Sequence, residues 1–572
     1  MTDVSPAGQQ QPRILRALKA LNDRRMAAML LLSFAAGLPY GAVLGTLNAW
    51  LTVEGVKPST IGVLSIITLG YSFKYLWAPG FQAPKFIPIP KLGVRRGWLL
   101  AFQIPIAVLL ALLAQLDPAS GVGMLALLAL AIALMSATHD IVLDAWRIEI
   151  ARSDEDIDLM AALYQFGYRI SGFITGFLAL LLAARIGWPG VYFLIAIMMV
   201  LAAIGTLIAP EPEEHIRDDS NRPSYFGSLE PTSRQIATWG TAASWAVAIL
   251  MIAFFMLRYL GLGHDLSPSK FASQQGPVIV TLTVVLPGLL ATWFVLTNRP
   301  EPKTEVDQPT KPGLQRTLFK AIFDPLMDLI KRLGWGALLV LLLALTYRFT
   351  DAVWGSFAYP FYLDDRFGAL HHTMDDVAIA SKFFGVIMTI AGAGLGAVVI
   401  AWIGRMPVLV IGAVLAASTN LLFADLSSGG AGMDAFLAFT HLNTPLITFA
   451  EWAAVISPDP VAPDQGPRMA RLMMAIAGEN LAGGFASVAV VAFLTSVVNP
   501  RFAAVQYALL GSLTMLIGTL GKPWLGVLIE TDGYYTVFII TFWLGGIAVV
   551  LSILEWIRQA RQTTSNAVNS DA

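Results

Sequence analysis

The sequence predicts an all-α polytopic membrane protein, built as two six-helix halves with two extra transmembrane helices between them, 14 spans in all. Three observations carry this. Of 572 residues, 56% are hydrophobic and only 13% charged, against about 25% charged in soluble globular chains. Mostly apolar runs of roughly 20 residues, the length that crosses a bilayer core, recur along the whole chain. A faint internal repeat relates the ends of the two halves.

Residues 1–25, MTDVSPAGQQQPRILRALKALNDRR, are basic but lack a short apolar core and a small-residue cleavage site. They read as a retained cytoplasmic tail with an interfacial helix, not as a signal peptide. The N-terminal bundle, 26–209, holds apolar runs near 26–52, 60–82, 98–115, 121–145, 159–184 and 188–209. A polar cytoplasmic linker, 210–235, follows, and then two extra spans near 236–258 and 276–297 within 236–297. The second linker, 298–334, contains LQRTLFKAIFDPLMDLIKRL, whose apolar spacing predicts an amphipathic helix on the membrane surface. The C-terminal bundle, 335–557, has runs near 335–360, 375–402, 406–425, 472–498, 502–529 and 533–556, and 558–572 is a cytoplasmic tail.

The segment 434–457 is long enough to cross but contains His441, Asn443, Pro445 and Glu451. Leaving it uncrossed keeps most loop and tail Lys and Arg on the side of the N-terminus, as the positive-inside rule requires. It is therefore read as part of a periplasmic or re-entrant insertion, 426–470, with both termini cytoplasmic.

The stretch AALYQFGYRISGFITGFLALLLAARIGWPGVYFLI matches AVQYALLGSLTMLIGTLGKPWLGVLIETDGYYTVFII in its Tyr/Gln start, glycine-spaced face and closing Gly-aromatic hairpin. Two like six-helix halves with a substrate site between them are the build of major facilitator transporters. The pairs Gly41/Gly45, Gly172/Gly176 and Gly392/Gly396 are four apart, a spacing that lets helices approach closely.

Composition narrows function. A net charge of −1, with no arginine-rich tail, gives no reason to expect a nucleic-acid partner, and with no cysteine there are no disulfides or thiol nucleophiles. GTLGKP fails the phosphate-loop spacing, which argues against ATP-driven transport by this chain. A membrane enzyme would need clustered acids in a large loop, whereas those of 426–470 are scattered among prolines. The expectation is a transporter, not an enzyme, without cofactor, working as a monomer in the lipid bilayer.

FAAGLPYGAVLGTLNAWLTVEGVKPSTIGVLSIITLGYSFKYLWAPG, followed by GVRRGWLLAFQ and SATHDIVLDAW, resembles the AmpG family of muropeptide permeases. The resemblance returns at YRFTDA, ASKFFGVIMTIAGAGLG and GENLAGG. It implies a major facilitator fold in the inner membrane of a Gram-negative bacterium. It further implies proton-driven import of N-acetylglucosaminyl-1,6-anhydro-N-acetylmuramyl sugars, with or without peptide, for peptidoglycan recycling. In some species such uptake feeds β-lactamase induction. Acetyl-CoA transporters form a related branch, so another anionic cargo, a nucleotide thioester or siderophore, stays open. Gln82-Ala83 stands where the family usually carries an Asp-Arg pair, and of the basic gating loop Arg95 and Arg96 remain.

Charges within the spans are the candidate machinery, because each costs several kcal/mol unless paired or hydrated. For the acids of such a cargo the candidates are Arg348, Arg169 and Lys74, with Lys382 near the outer entrance. Tyr71, Trp50, Tyr164, Tyr168, Trp354 and Tyr359 could stack on sugar rings. Asp140 and Asp144 lie four apart on one helix face with Arg147 beyond. Asp140 is the first proton-carrier candidate, Asp351 its rival, and Asp144 and Glu479 complete the set. A structural ion pair with Lys74 or Arg147 is the competing reading for the two acids. His139 reads as a hydrogen-bonded packing residue.

Overall fold

The computed structural model describes residues 22–64, 87–118, 122–152, 154–212, 224–261, 268–298, 314–350, 355–453, 466–499 and 503–570. It also describes Ile67, Tyr71, Lys74, Trp77, Phe81 and Glu301. The N-terminal half contains α1 (Arg24–Val53), α2 (Pro58–Leu64), α3 (Val94–Leu113) and α4 (Val122–Ile150). Next, α5 begins at Asp154–Phe173, widens through a π-helical turn at Ile174–Leu178, and meets α6 inside Ala179–Ala202. The central pair is α7 (Thr241–Gly261) and α8, which runs from Pro268–Val280 through Thr281–Val285 to Leu286–Asn298.

After the amphipathic α9 (Leu314–Leu333) come α10 (Gly336–Thr346), α11 (Met374–Ile403), α12 (Arg405–Ser427), α13 (Ala431–Thr440), α14 (Asn443–Ala453) and α15 (Gly466–Val497). The last two helices, α16 and α17, lie within Ala503–Ser570.

Among the described residues, 10 helical stretches are long and apolar enough to cross a membrane. Two of them, Phe166–Ile208 and Gly518–Gln562, are hairpins folded at Gly187 and Gly533. Two further expected spans, near 60–82 and 335–360, fall partly outside the described residues.

The repeat seen in sequence has a backbone signature. Gly187 (φ 71, ψ 166) and Gly533 (φ 76, ψ 170) turn the chain between α5 and α6 and between α16 and α17. Gly93 (φ 87, ψ −173) and Gly404 (φ 83, ψ 168) do the same before α3 and α12. That region is essentially reserved for glycine. These glycines stand at the starts of α3, α6, α12 and α17, two in each half.

Close packing within the halves uses small residues. On α1, Ser33, Gly37 and Gly41 face Gly167, Ser171 and Thr175 of α5. A Cβ added at Gly37, Gly41 or Gly167 would overlap the opposing hydroxyl. In the other half a Cβ at Gly392 would strike the Leu481 carbonyl, and one at Gly484 the Thr389 carbonyl. Of the expected glycine pairs, Gly392/Gly396 therefore packs as a pair, whereas Gly172 faces open space.

Among its described residues the insertion forms two short helices broken at His441, which takes a left-handed φ of 54. Each is only about 15 Å long, half a bilayer core. Asp425 receives the amides of Gly432 and Met433 at the start of α13, and Arg471 pairs with Asp434 at 2.6 Å.

The stripe of α9, expected against the membrane surface, is covered by the chain itself. Phe319, Phe323 and Met327 are fully buried, with Phe226 and Phe294 packed on the two phenylalanines. Its Asp328 receives Gln506 and Asn499 at 2.8 Å each and Arg332 at 3.0 Å, fixing α9 to the α15–α16 connection. Asp324 receives the Tyr225 amide at 2.9 Å, and burial pushes its carboxyl up from 3.8 to about 6.

Candidate substrate and proton site

Why a membrane helix accepts two carboxylates becomes plain at α4. The i, i+4 spacing puts Asp140 and Asp144 on one face, and Lys74 of the second span stands against both. Its Nζ lies 3.7 Å from Asp140 Oδ2 and 3.9 Å from Asp144 Oδ2. Arg147 completes the row at 3.1 Å from Asp144 and sits over the Tyr164 ring at 5.4 Å. Two acids and two cations thus offset one another.

Tyrosines wall this cluster. Tyr40 of α1 meets Tyr71 edge-on at 5.1 Å and Tyr168 at 5.7 Å, and Tyr164 lies 5.8 Å from Tyr168. The Asp140 carboxylate is within electrostatic reach of all four. Arg348, half-buried just beyond α10, reaches Tyr40 from the opposite half. The Tyr71 hydroxyl is buried beside that of Ser136. Aromatic faces, a shared lysine and an arginine from the other bundle are groups of the kind that hold anionic, ring-bearing molecules.

The remaining candidates are spread out. Arg169 is exposed on α5, as are Phe166 and Phe173. Lys382 lies at the α5–α11 seam, 4.7 Å over the Tyr359 ring and against Gly176. Trp50 is buried between Trp188 and Tyr192. Glu479 is half-buried and acts electrostatically on Tyr362. Asp351 and Trp354 lie outside the described residues.

Arg95 pairs with Glu149 at the end of α4 and with the Phe81 carbonyl, while the Arg95 and Arg96 amides both donate to Glu211. The Arg96 guanidinium donates to the carbonyls of Thr206 and Leu207. Both arginines therefore fasten elements of the N-terminal half to each other.

Sequence reading passes over Tyr40, although it sits in the quoted LPYG motif. An aromatic residue in an apolar helix carries no signal until its neighbours are known. It also undervalues Gln103, whose amide lies 3.1 Å from His139 Nε2.

The halves meet at the end where α1 passes to α2. Glu530 receives the Ser59 amide at 2.8 Å, and Arg185 stands 3.5 Å from Asp375. A Cβ at Gly62 would lie 2.7 Å from the Lys522 carbonyl, and one at Gly526 2.6 Å from that of Pro58. Arg366, held by Asp364 at 2.7 Å, also reaches the Gly55 carbonyl at 3.5 Å. Burial disfavours the Asp364 carboxylate, yet Arg366 and local amides outweigh it and hold the carboxyl below its ordinary value.

The described helices, with a lysine shared between two acids and walled by tyrosines, have the major facilitator fold. Residues 29–284 match the sequence model of the Major Facilitator Superfamily. The resemblance to AmpG proteins holds along the chain. It is 28% identical over 547 residues to the anhydromuropeptide permease of Escherichia coli K12, covering 96% of this chain and 82% of that one. A Rickettsia felis protein carrying the name AmpG 4 is 24% identical over 526 residues, 91% and 94% of the two chains.

Among solved structures, an auto-inhibited POT family peptide transporter aligns at TM-score 0.58 and 12% identity over 94% of this chain and 97% of its own. The POT family transporter PepTSo aligns at 0.56 and 12% over 97% and 99%. At that identity the likeness is one of fold.

Proposed function

We propose that this protein imports anhydromuropeptides, N-acetylglucosaminyl-1,6-anhydro-N-acetylmuramic acid with or without stem peptide, across the bacterial inner membrane, driven by protons. The observation that carries the reading is Lys74 shared between Asp140 and Asp144 in a tyrosine-lined site faced by Arg348. The name of the E. coli relative supplies the cargo.

A lactyl or peptide carboxylate competes with Asp140 for Lys74. Protonating Asp140 removes its charge and frees the lysine for the substrate. Arg348 takes the same acid from the other half, so that cargo bridges the two bundles. With the termini cytoplasmic, the closed end faces the periplasm and the site discharges inward. The 426–470 insertion then lies on the periplasmic face.

Labelled disaccharide uptake into proteoliposomes, with and without an inward proton gradient, tests this. Gradient-dependent accumulation, blocked by unlabelled anhydromuramyl sugar and indifferent to acyl-CoA, is expected. Accumulation of acyl-CoA instead would transfer the fold to another anionic cargo.

A further inference from the structure

Behind Asp140 lies a buried relay that neither the fold nor the ion pairs require. The Thr206 hydroxyl, on the short helix Ile204–Ile208, donates to Gln103 Oε1 of α3 at 2.6 Å. That leaves the Gln103 amide NH2 to meet His139 Nε2 at 3.1 Å, so Nε2 accepts and the imidazole proton sits on Nδ1.

His139 Nδ1 points toward Asp140 Oδ1 across 4.0 Å, and neither atom has a hydrogen-bond partner among the described residues. His139 is 1% exposed and Asp140 5%. A buried donor and a buried acceptor left facing one another carry a standing penalty unless the contact closes in another state. Adjacent residues on a helix ordinarily diverge. Here the relay holds the ring in place, and Trp77, donating to Thr138 at 3.2 Å, ties the second span to the same turn.

The Asp140 carboxylate is thus two-sided. Oδ2 faces Lys74 and Oδ1 faces His139. We propose that His139 is a positioning residue for proton coupling, closing its Nδ1–H onto Asp140 when that carboxyl is ionised. The inference rests on the proton-driven reading above. His139 keeps its single proton throughout. The mobile proton is the one that Asp140 takes up from one side of the membrane and releases to the other. Protonated Asp140 has no charge to hold, and the contact opens.

Other titratable or charged groups facing this pair are Asp144 and Arg147 on α4, Tyr40 on α1, Tyr71 and Lys74 on the second span, and Tyr164 and Tyr168 on α5. Arg348 acts at one remove through Tyr40, and Arg258 of α7, the helix outside α4, sits over Phe254.

The test reads the carboxyl C=O band of purified protein by infrared difference spectroscopy across pH, with no substrate present. Asp140→Asn assigns the band. Removing the donor with His139→Leu is expected to move the band's midpoint to higher pH by about one unit. Gln103→Leu, which unlocks the tautomer, moves it less in the same direction. His139→Asn returns a donor near the Nδ1 position and stays close to wild type.

An unmoved midpoint in both His139→Leu and Gln103→Leu overturns the proposal. So does loss of the pH-dependent band in His139→Asn, which would make the imidazole the carrier. A band indifferent to Asp140→Asn sinks the proton role of Asp140 itself. Failure of muropeptide uptake leaves this spectroscopic result standing. Should His139→Leu not fold, Gln103→Leu decides.

Discussion

Gly187 and Gly533 adopt the same backbone conformation, φ 71 and ψ 166 against φ 76 and ψ 170, one at the last hairpin of each half. A side chain there is strained whatever room surrounds it. Gly533→Ala should destabilise the protein by about 1–3 kcal/mol. Gly546→Ala, where a Cβ would meet open space, is the neutral control. Thermal unfolding in detergent separates them, and equal midpoints would remove the hairpin argument.

The α1–α5 contact depends on size. Gly37→Val should lower stability by about 1–3 kcal/mol or more through overlap with Ser171. Adding Ser171→Gly should restore part of the loss. No recovery in the double variant would mean the helices are not held at this distance.

Lys74 balances two acids, so Lys74→Ala should cut uptake more than about tenfold, because it leaves Asp140 and Asp144 short of a cation. Arg147→Ala, which pairs with only Asp144 of the two acids, should cost less. The reverse order in initial uptake rates would move the centre of the site toward Arg147.

Arg348→Ala should abolish uptake in protein that still elutes as a folded species, since in the proposed reading it is the cation that the second half brings to the substrate. Arg348→Lys should recover little, as a point charge does not replace a bidentate fork. Near-normal uptake by Arg348→Ala would take it out of the site.

Asp324 gives a pH signature away from the membrane core. Burial raises its folded-state carboxyl from 3.8 to about 6, so the folded state binds the proton more tightly than the open chain. Its contribution to docking is fully present below 3.8 and is lost as pH rises through about 6. Hydrogen exchange at 224–229 should therefore quicken from pH 5 to pH 7 beyond the intrinsic rate. Asp324→Asn should flatten that excess, and an unchanged excess would refute the assignment.

Much of the fold was legible because bilayer burial writes itself as length and apolarity. The Gly187 and Gly533 hairpins were legible because only glycine takes that conformation. The Gly93 and Gly404 turns were not matched to them, since no side-chain pattern accompanies these glycines. At the site, the i, i+4 spacing made Asp140 and Asp144 visible, and the structure supplies Lys74 between them. Tyr40, Gln103 and Thr206 were invisible because their meaning lies in what another helix brings opposite. The α9 stripe misled for the same reason. Periodicity reveals an apolar face but not whether lipid or protein covers it.

The central pair gives the molecule a mechanical property. Between the bundles in sequence, α7 packs on α4 of the first, α8 packs on the last helical stretch, Ala503–Ser570, and touches α2, and the two also pack on each other. Any rocking of one half against the other must therefore work this pair like a leash. Its length and stiffness cap the stroke, and the bundles cannot drift apart sideways in the lipid however weak the contacts at the closed end become.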